Sequence, residues 1–212
     1  VFMAAHNGYD KALTVLATNG ANLNTTYNGA TPAFIAAQNG HDKALTVLAT
    51  NNADLNTTNN GMTPAFMAAK NGHDKALTVL ATNDADLNTT SNGITPAFIA
   101  AENGHDNALT VLVKKGADIH KAYHSDAVAL KKFAQEKDIA IRRRMGDFIQ
   151  SQLSCGVSKS RIALTPKQIA TIMGHDAILY ILELRDSLDQ SRSTGKRIRR
   201  TEPSQIDRIN RP

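Results

Sequence analysis

Thr31-Pro32-Ala33-Phe34-Ile35-Ala36-Ala37 decides how this chain is read, because it comes back twice. It returns as Thr63-Pro64-Ala65-Phe66-Met67-Ala68-Ala69 and as Thr95-Pro96-Ala97-Phe98-Ile99-Ala100-Ala101. The spacing is 32 residues each time, within a pattern that fills residues 1–124. Self-similarity at this period marks a stacked array of supersecondary units, each touching only its neighbours. Such arrays bind other macromolecules and carry little chemistry of their own, so the repeat speaks to the kind of task more than to the partner.

Within the unit, Thr31-Pro32 reads as a helix start. The threonine hydroxyl accepts a hydrogen bond from the first turn, and proline suits a position whose N–H would be unpaired. A short apolar helix runs through Ala37, and Gly40, equivalent to Gly8, Gly72 and Gly104, ends it in left-handed geometry. His41-Asp42 opens a second helix, whose buried stripe is Ala44, Leu45, Val47 and Leu48. That helix stops before Asn52, where the other units hold Gly20, Asp84 and Gly116, the residue types that best tolerate left-handed backbone. Ala53-Asp54-Leu55-Asn56 and a polar tip through Gly61 then read as a hairpin-like loop.

These residues resemble the ankyrin repeat, with its G-x-T-P-L-H-x-A-A-x-x-G-H signature, apolar second helix and G-A-D-V-N loop. Residues 29–60, 61–92 and 93–124 match it, and 1–28 match as a truncated unit. The resemblance implies an all-α solenoid of paired short antiparallel helices with hairpin-like loops. It departs from the family in two ways. Phe34, Phe66 and Phe98 stand where the family has histidine, so the Thr-to-His hydrogen bond is lost, and the period is 32 instead of 33.

Past residue 124 the pattern degrades. Ser125 to Ala134 reads as a short helix and Ile139 to Leu153 as a longer one, so 125–164 is expected to be an irregular fifth repeat. The signature returns at Thr165-Pro166, Ala170 and Gly174-His175-Asp176, which makes 165–190 a divergent sixth repeat capping the stack. Residues 191–212 form a basic polar tail, with 7 Lys/Arg against 2 acidic residues, too polar to order itself. Phe2 aligns with Phe34, so the chain is expected to begin inside a first helix, with further sequence upstream of Val1.

Composition narrows the class. The chain has 5% aromatic residues and no Trp, so Ala, Leu, Ile and Val must build the core. Cys155 is the one cysteine, which rules out an intramolecular disulfide and fits a reducing compartment. No 18-residue apolar run or signal peptide is visible. Residues 1–124 carry 7 Lys/Arg and 9 Asp/Glu, whereas 125–212 carry 17 and 10, so two different surfaces are expected.

Nearly identical units make their differences informative. His6, Gln38, Lys70 and Glu102 share one position near the end of the first helix, and Tyr27, Asn59, Ser91 and Tyr123 share one at the loop tip. In ankyrin-like stacks both positions line the concave face. The resemblance therefore implies a protein partner there, the alternative being neutral drift after duplication. Leu48 with Asp54-Leu55-Asn56, and Leu80 with Asp86-Leu87-Asn88, resemble the ankyrin sequence hydroxylated by asparaginyl hydroxylases. Asn56 and Asn88 are the corresponding candidates, and Asn24 follows in Leu16 with Asn22-Leu23-Asn24, a looser match because Asn22 replaces the acid; loop stabilisation is their structural reading.

Two basic groups are candidate anion sites. Arg142, Arg143 and Arg144 form a cationic patch or a solvated helix face; Lys196, Arg197, Arg199 and Arg200 resemble a nuclear-import signal and could instead meet nucleic acid or acidic lipid. His41, His73, His105 and His175 lie a repeat apart and cannot converge on one metal ion. Single glycines make no phosphate loop, and no catalytic constellation stands out, so no cofactor, metal or enzymatic activity is expected. The expectation is a monomeric interaction scaffold of the cytoplasm or nucleus. The Asn-rich near-identical repeats also resemble arrays in effector proteins of intracellular bacteria, which would act in a host cell. Two alternatives stay open: nucleic-acid binding through the basic region, and substrate positioning for a catalytic domain upstream.

Overall fold

A computed structural model describes residues 1–135, 137, 139–159 and 161–194, the side chains of 191–194 excepted. Four helix pairs come first: α1 (Phe2–His6) and α2 (Asp10–Thr18), α3 (Pro32–Gln38) and α4 (Asp42–Thr50), α5 (Pro64–Lys70) and α6 (Asp74–Thr82), α7 (Pro96–Asn103) and α8 (Asp106–Lys114). Then follow β1 (Tyr123–Ser125), α9 (Ala127–Gln135), α10 (Ile139–Ser154), β2 (Ile162–Leu164), α11 (Pro166–Met173) and α12 (Asp176–Thr194). The chain divides into two compact units, Val1–Leu182 and Glu183–Pro212. In the second, the described residues continue α12, with an Arg185–Asp189 ion pair of 2.9 Å one turn apart.

The helix starts and stops follow from the residues named above. Thr31 Oγ1 accepts from the Phe34 N–H at 3.1 Å, Thr63 from Phe66 at 3.1 Å and Thr95 from Phe98 at 3.0 Å. Gly40 has φ +72°, and Asn52 and Asp84 take φ +60° and +58°. The loop tips are Asn-Gly turns with both central residues at positive φ, flanked by the bridges Tyr27↔Ala30, Asn59↔Met62 and Ser91↔Ile94.

First helices form one row and second helices another: α1 packs on α3, α3 on α5 and α5 on α7, while α2, α4, α6 and α8 stack alongside. Ala36, Ala37, Ala68, Ala69, Ala100 and Ala101 are wholly buried, since alanine lets the first helices approach closely. Leu45, Leu77 and Leu109, with Leu48, Leu80 and Leu112, fill the space between rows, and Val47 is only half-buried. Each fully buried Leu contributes roughly 1.5–3 kcal/mol of transfer free energy.

The structure differs from a stacked fifth unit at 125–164. Helix α11 packs directly on α7 and so continues the first-helix row, with α9 and α10 not interposed between them. Strand β1 pairs antiparallel with β2, and Tyr123↔Leu164 is the same hairpin bridge as Tyr27↔Ala30. Where the other loops place two residues between these partners, this one places residues 124–163. The segment is thus an excursion from a hairpin tip, and its ends remain tied by the ladder of that hairpin. It is also why two short strands occur in an otherwise helical chain. At the other boundary, α12 runs through Thr194, past the residue-191 start expected for the tail.

Candidate functional site

The first-helix row carries the candidate surface, and the backbone there is fully engaged. The His41 ring Nε2 meets the His6 carbonyl at 3.0 Å, His73 that of Gln38 at 3.1 Å and His105 that of Lys70 at 3.0 Å. A carbonyl only accepts, so Nε2 must carry the proton in each. Asn39, Asn71 and Asn103 donate to the same three carbonyls at 3.0, 2.8 and 2.9 Å. Each histidine also lies over the helix-ending glycine of the preceding unit. A Cβ on Gly72 would stand 2.6 Å from His105 Nδ1. The recurrent histidines thus lock one repeat to the next. With the carbonyls tied up, the side chains of this position are left to face outward: His6 and Lys70 are exposed and Gln38 is half-buried.

The last unit keeps the lock across the excursion. His175 Nε2 meets the Glu102 carbonyl at 3.0 Å and its ring covers Gly104. At α11 the part of that histidine is taken, among the described residues, by Arg144 of α10. Its Nε donates to the Ile172 carbonyl at 2.6 Å, and its guanidinium covers Gly174, where a Cβ would stand 3.0 Å from Nη2. Ile172 occupies the position of Gln38 in its unit. The excursion therefore supplies a contact that covers the end of α11.

The candidate residues are not brought together as two uniform series. At the loop tips Tyr27 is exposed and meets the Phe2 ring at a tilt with 5.2 Å between centroids, Asn59 lies beside Gly29, and Ser91 is buried. Tyr123 packs on Phe98 at 5.6 Å. Asn59, Ser91 and Tyr123 lean on the preceding loop at Gly29, Gly61 and Gly93, a packing demand that equivalence in sequence does not separate from partner contact. Glu102 and Tyr123 line a cavity of about 290 Å³ roofed by Leu130 and Phe133 of α9, so the excursion covers the array there. Burial pushes the Glu102 carboxyl above its ordinary value, only partly offset by the charges of Lys137 and Lys70.

The arginine triplet is split. Arg142 donates to the Gln135 and Lys137 carbonyls, Arg144 is the capping residue, and Arg143 is exposed. Lys196, Arg197, Arg199 and Arg200 lie outside the described residues. Asn24, Asn56 and Asn88 are exposed, yet each Oδ1 accepts from the next loop, from Asp54, Asp86 and Asp118 N–H at 2.8, 2.8 and 2.7 Å. Asp54 in turn accepts from the Thr57 hydroxyl and the Asn56 N–H, which hold its carboxyl below the ordinary range, and Asp86 does the same with Thr89 and Asn88. Cys155 is exposed at the end of α10.

Locked helix pairs with an outward-varying first-helix row define the class: a helical repeat stack that presents side chains from successive units as one surface. The model for ankyrin repeats (3 copies) matches residues 1–59 and 51–123, more than half of the chain. The chain belongs to the ankyrin-repeat family. A search of curated proteins finds no significant match. Ankyrin repeats are in general protein–protein interaction modules and typically non-catalytic. No described helix is long and apolar enough to cross a membrane.

Proposed function

We propose that this chain is a protein-binding platform whose partner is read by the first-helix row, with His6, Gln38 and Lys70 as its central contacts. The observation that carries it is the contrast within one position. The backbone there is locked identically in three consecutive units, while the outward side chain changes in size and charge. Framework held constant under a varying surface is what a specificity-determining face requires. Tyr27, exposed at the adjoining loop tip, is the aromatic anchor of this face, of a type over-represented among binding hot spots. Asn59 and Ser91 act in loop packing, and Glu102 and Tyr123 belong to the covered end.

The test is a partner isolated with the full chain and then offered to two variants. His6→Ala/Gln38→Ala/Lys70→Ala on the first helices is expected to weaken binding by about tenfold or more. Lys43→Ala/Lys75→Ala on the second helices leaves it unchanged. Loss confined to the second-helix variant overturns the reading.

A second reading is supported by the charge excess of residues 125–212. Phosphate binding by Lys196, Arg197, Arg199 and Arg200 would give nucleic-acid affinity that falls steeply with salt and vanishes in the fourfold alanine variant. It leaves the first-helix row unused. Action in the cytoplasm or nucleus, including effector action in a host cell, and positioning of a substrate for an upstream catalytic domain are compatible with either reading. Hydroxylation at Asn24, Asn56 or Asn88 would add +16 to a fragment ion, and its absence from protein made in eukaryotic cells removes that modification.

A further inference from the structure

The cavity between the array and its excursion has a chemistry that the partner surface does not. The chain has ten aromatic residues, and three of them, Phe98, Tyr123 and Phe133, line this one space. They come from three separate elements, α7, β1 and α9, so the clustering is made by the fold and not by local sequence. The remaining wall is largely aliphatic, including Met145 and Ile169. Into this apolar space the array contributes a single carboxyl, Glu102. Its position holds His6, Gln38 and Lys70 in the earlier units, so the acid stands in the one unit that the excursion covers.

Aromatic faces and a carboxylate around an apolar volume attract the same object. The negative face of a ring draws a cation within about 6 Å of its centroid, most strongly where water is excluded. One such contact already exists at the rim, where Lys137 Nζ sits 4.8 Å from the Phe133 centroid. Lys137 and Lys70 attract the Glu102 carboxylate, yet neither closes an ion pair with it among the described residues. Burial raises the Glu102 carboxyl above its ordinary value, and an added cation beside it would relieve that cost. At about 290 Å³ the space is at the lower end of small-ligand cavities.

We propose that this cavity is a binding site for a compact organic monocation, an alkylammonium carried on an apolar body. The ammonium is seated against Glu102 and the aromatic rings, and the body against Met145 and Ile169. The site needs the excursion for two of its walls, which gives α9 and α10 a role besides capping. It is separate from the partner reading, since none of His6, Gln38 and Lys70 lines the cavity.

The experiment follows the methyl NMR signals of Ile99, Met145 and Ile169 in the full chain during titration with benzyltrimethylammonium. Phenylmethanesulfonate, which has a similar body and the opposite charge, is the control. Saturable shifts with the cation and none with the sulfonate are expected. Glu102→Gln should weaken cation binding by about tenfold, and Phe133→Leu by several-fold. Absence of saturable shifts with the cation, equal shifts with both compounds, or undiminished binding in both variants overturns the proposal. Thermal melts of the two variants show whether each is folded. If one is not, the other decides.

Discussion

Gly72 shows how much a single position can carry. Its φ of +72° strains any side chain, and the His105 ring occupies the space that a Cβ would need. Gly72→Ala should therefore cost more than the roughly 1–2 kcal/mol of left-handed strain alone, and pairing it with His105→Ala should recover the excess in a double-mutant cycle of urea melts. Titratable residues carry opposite signs. Asp54 and Asp86 sit below the ordinary value near 3.8, chiefly through the Thr57 and Thr89 hydroxyls. A depressed carboxyl stabilises the fold above its unfolded value and loses that stabilisation as pH falls through its folded value. Asp54→Asn/Asp86→Asn is thus expected to lower the melting temperature at about pH 7, by an amount that shrinks as pH falls below the ordinary carboxylate range. Glu102 is raised from 4.5, so its ionisation opposes folding, fully so above its folded value and not at all below 4.5. Glu102→Gln should raise the melting temperature at neutral pH and change little at about pH 4. A drop at neutral pH would show that its burial penalty is already met by Lys70 and Lys137.

At the scale of elements, the regular pairs were legible because each stop and start has its own chemistry. Thr-Pro opens the first helix, Gly closes it, and Gly, Asn or Asp at one position closes the second; three residue types met one backbone demand. The excursion was legible only in part. Tyr123 is followed by His124-Ser125 where Tyr27 is followed by Asn28-Gly29, so the tight-turn signal is missing at the point where the chain leaves the hairpin. Leu164-Thr165-Pro166 matches Ile94-Thr95-Pro96, the point of return. Helical periodicity in between does not reveal whether a helix is stacked in the array or laid against it, because both bury one apolar face. The Arg144 cap was hidden for a related reason, since an arginine on an amphipathic helix reads as solvated until its partner carbonyl is known. Arg144→Ala should cost about 1–3 kcal/mol by freeing the Ile172 carbonyl and uncovering Gly174. The loss should appear as faster hydrogen exchange in α11 and not in α3. Leu77→Ala, in the middle of the array, should cost about 2–5 kcal/mol.

Across the stack of the first unit, contacts run from neighbour to neighbour, and the same three ties recur: the histidine on the preceding carbonyl, the asparagine beside it, and the loop asparagine on the next aspartate amide. This regularity made the family readable, and it also separates framework from surface. What it did not yield was the candidate site as a whole. The loop-tip list mixed exposed Tyr27 with buried Ser91, because equivalence in sequence does not fix what covers a residue, and α9 covers only the last stretch of the row. The final unit stacks on the fourth, and the 124–163 segment is carried outside their register. Replacing residues 124–163 by Asn-Gly, so that Tyr123 reaches Leu164 through the turn used in the other loops, tests it directly by amide hydrogen exchange. The prediction is a folded chain in which Ile169–Leu182 stay protected, at reduced stability for want of the α10 cap. Exchange of those amides at the rate of an unfolded chain, with the first four units intact, would contradict it.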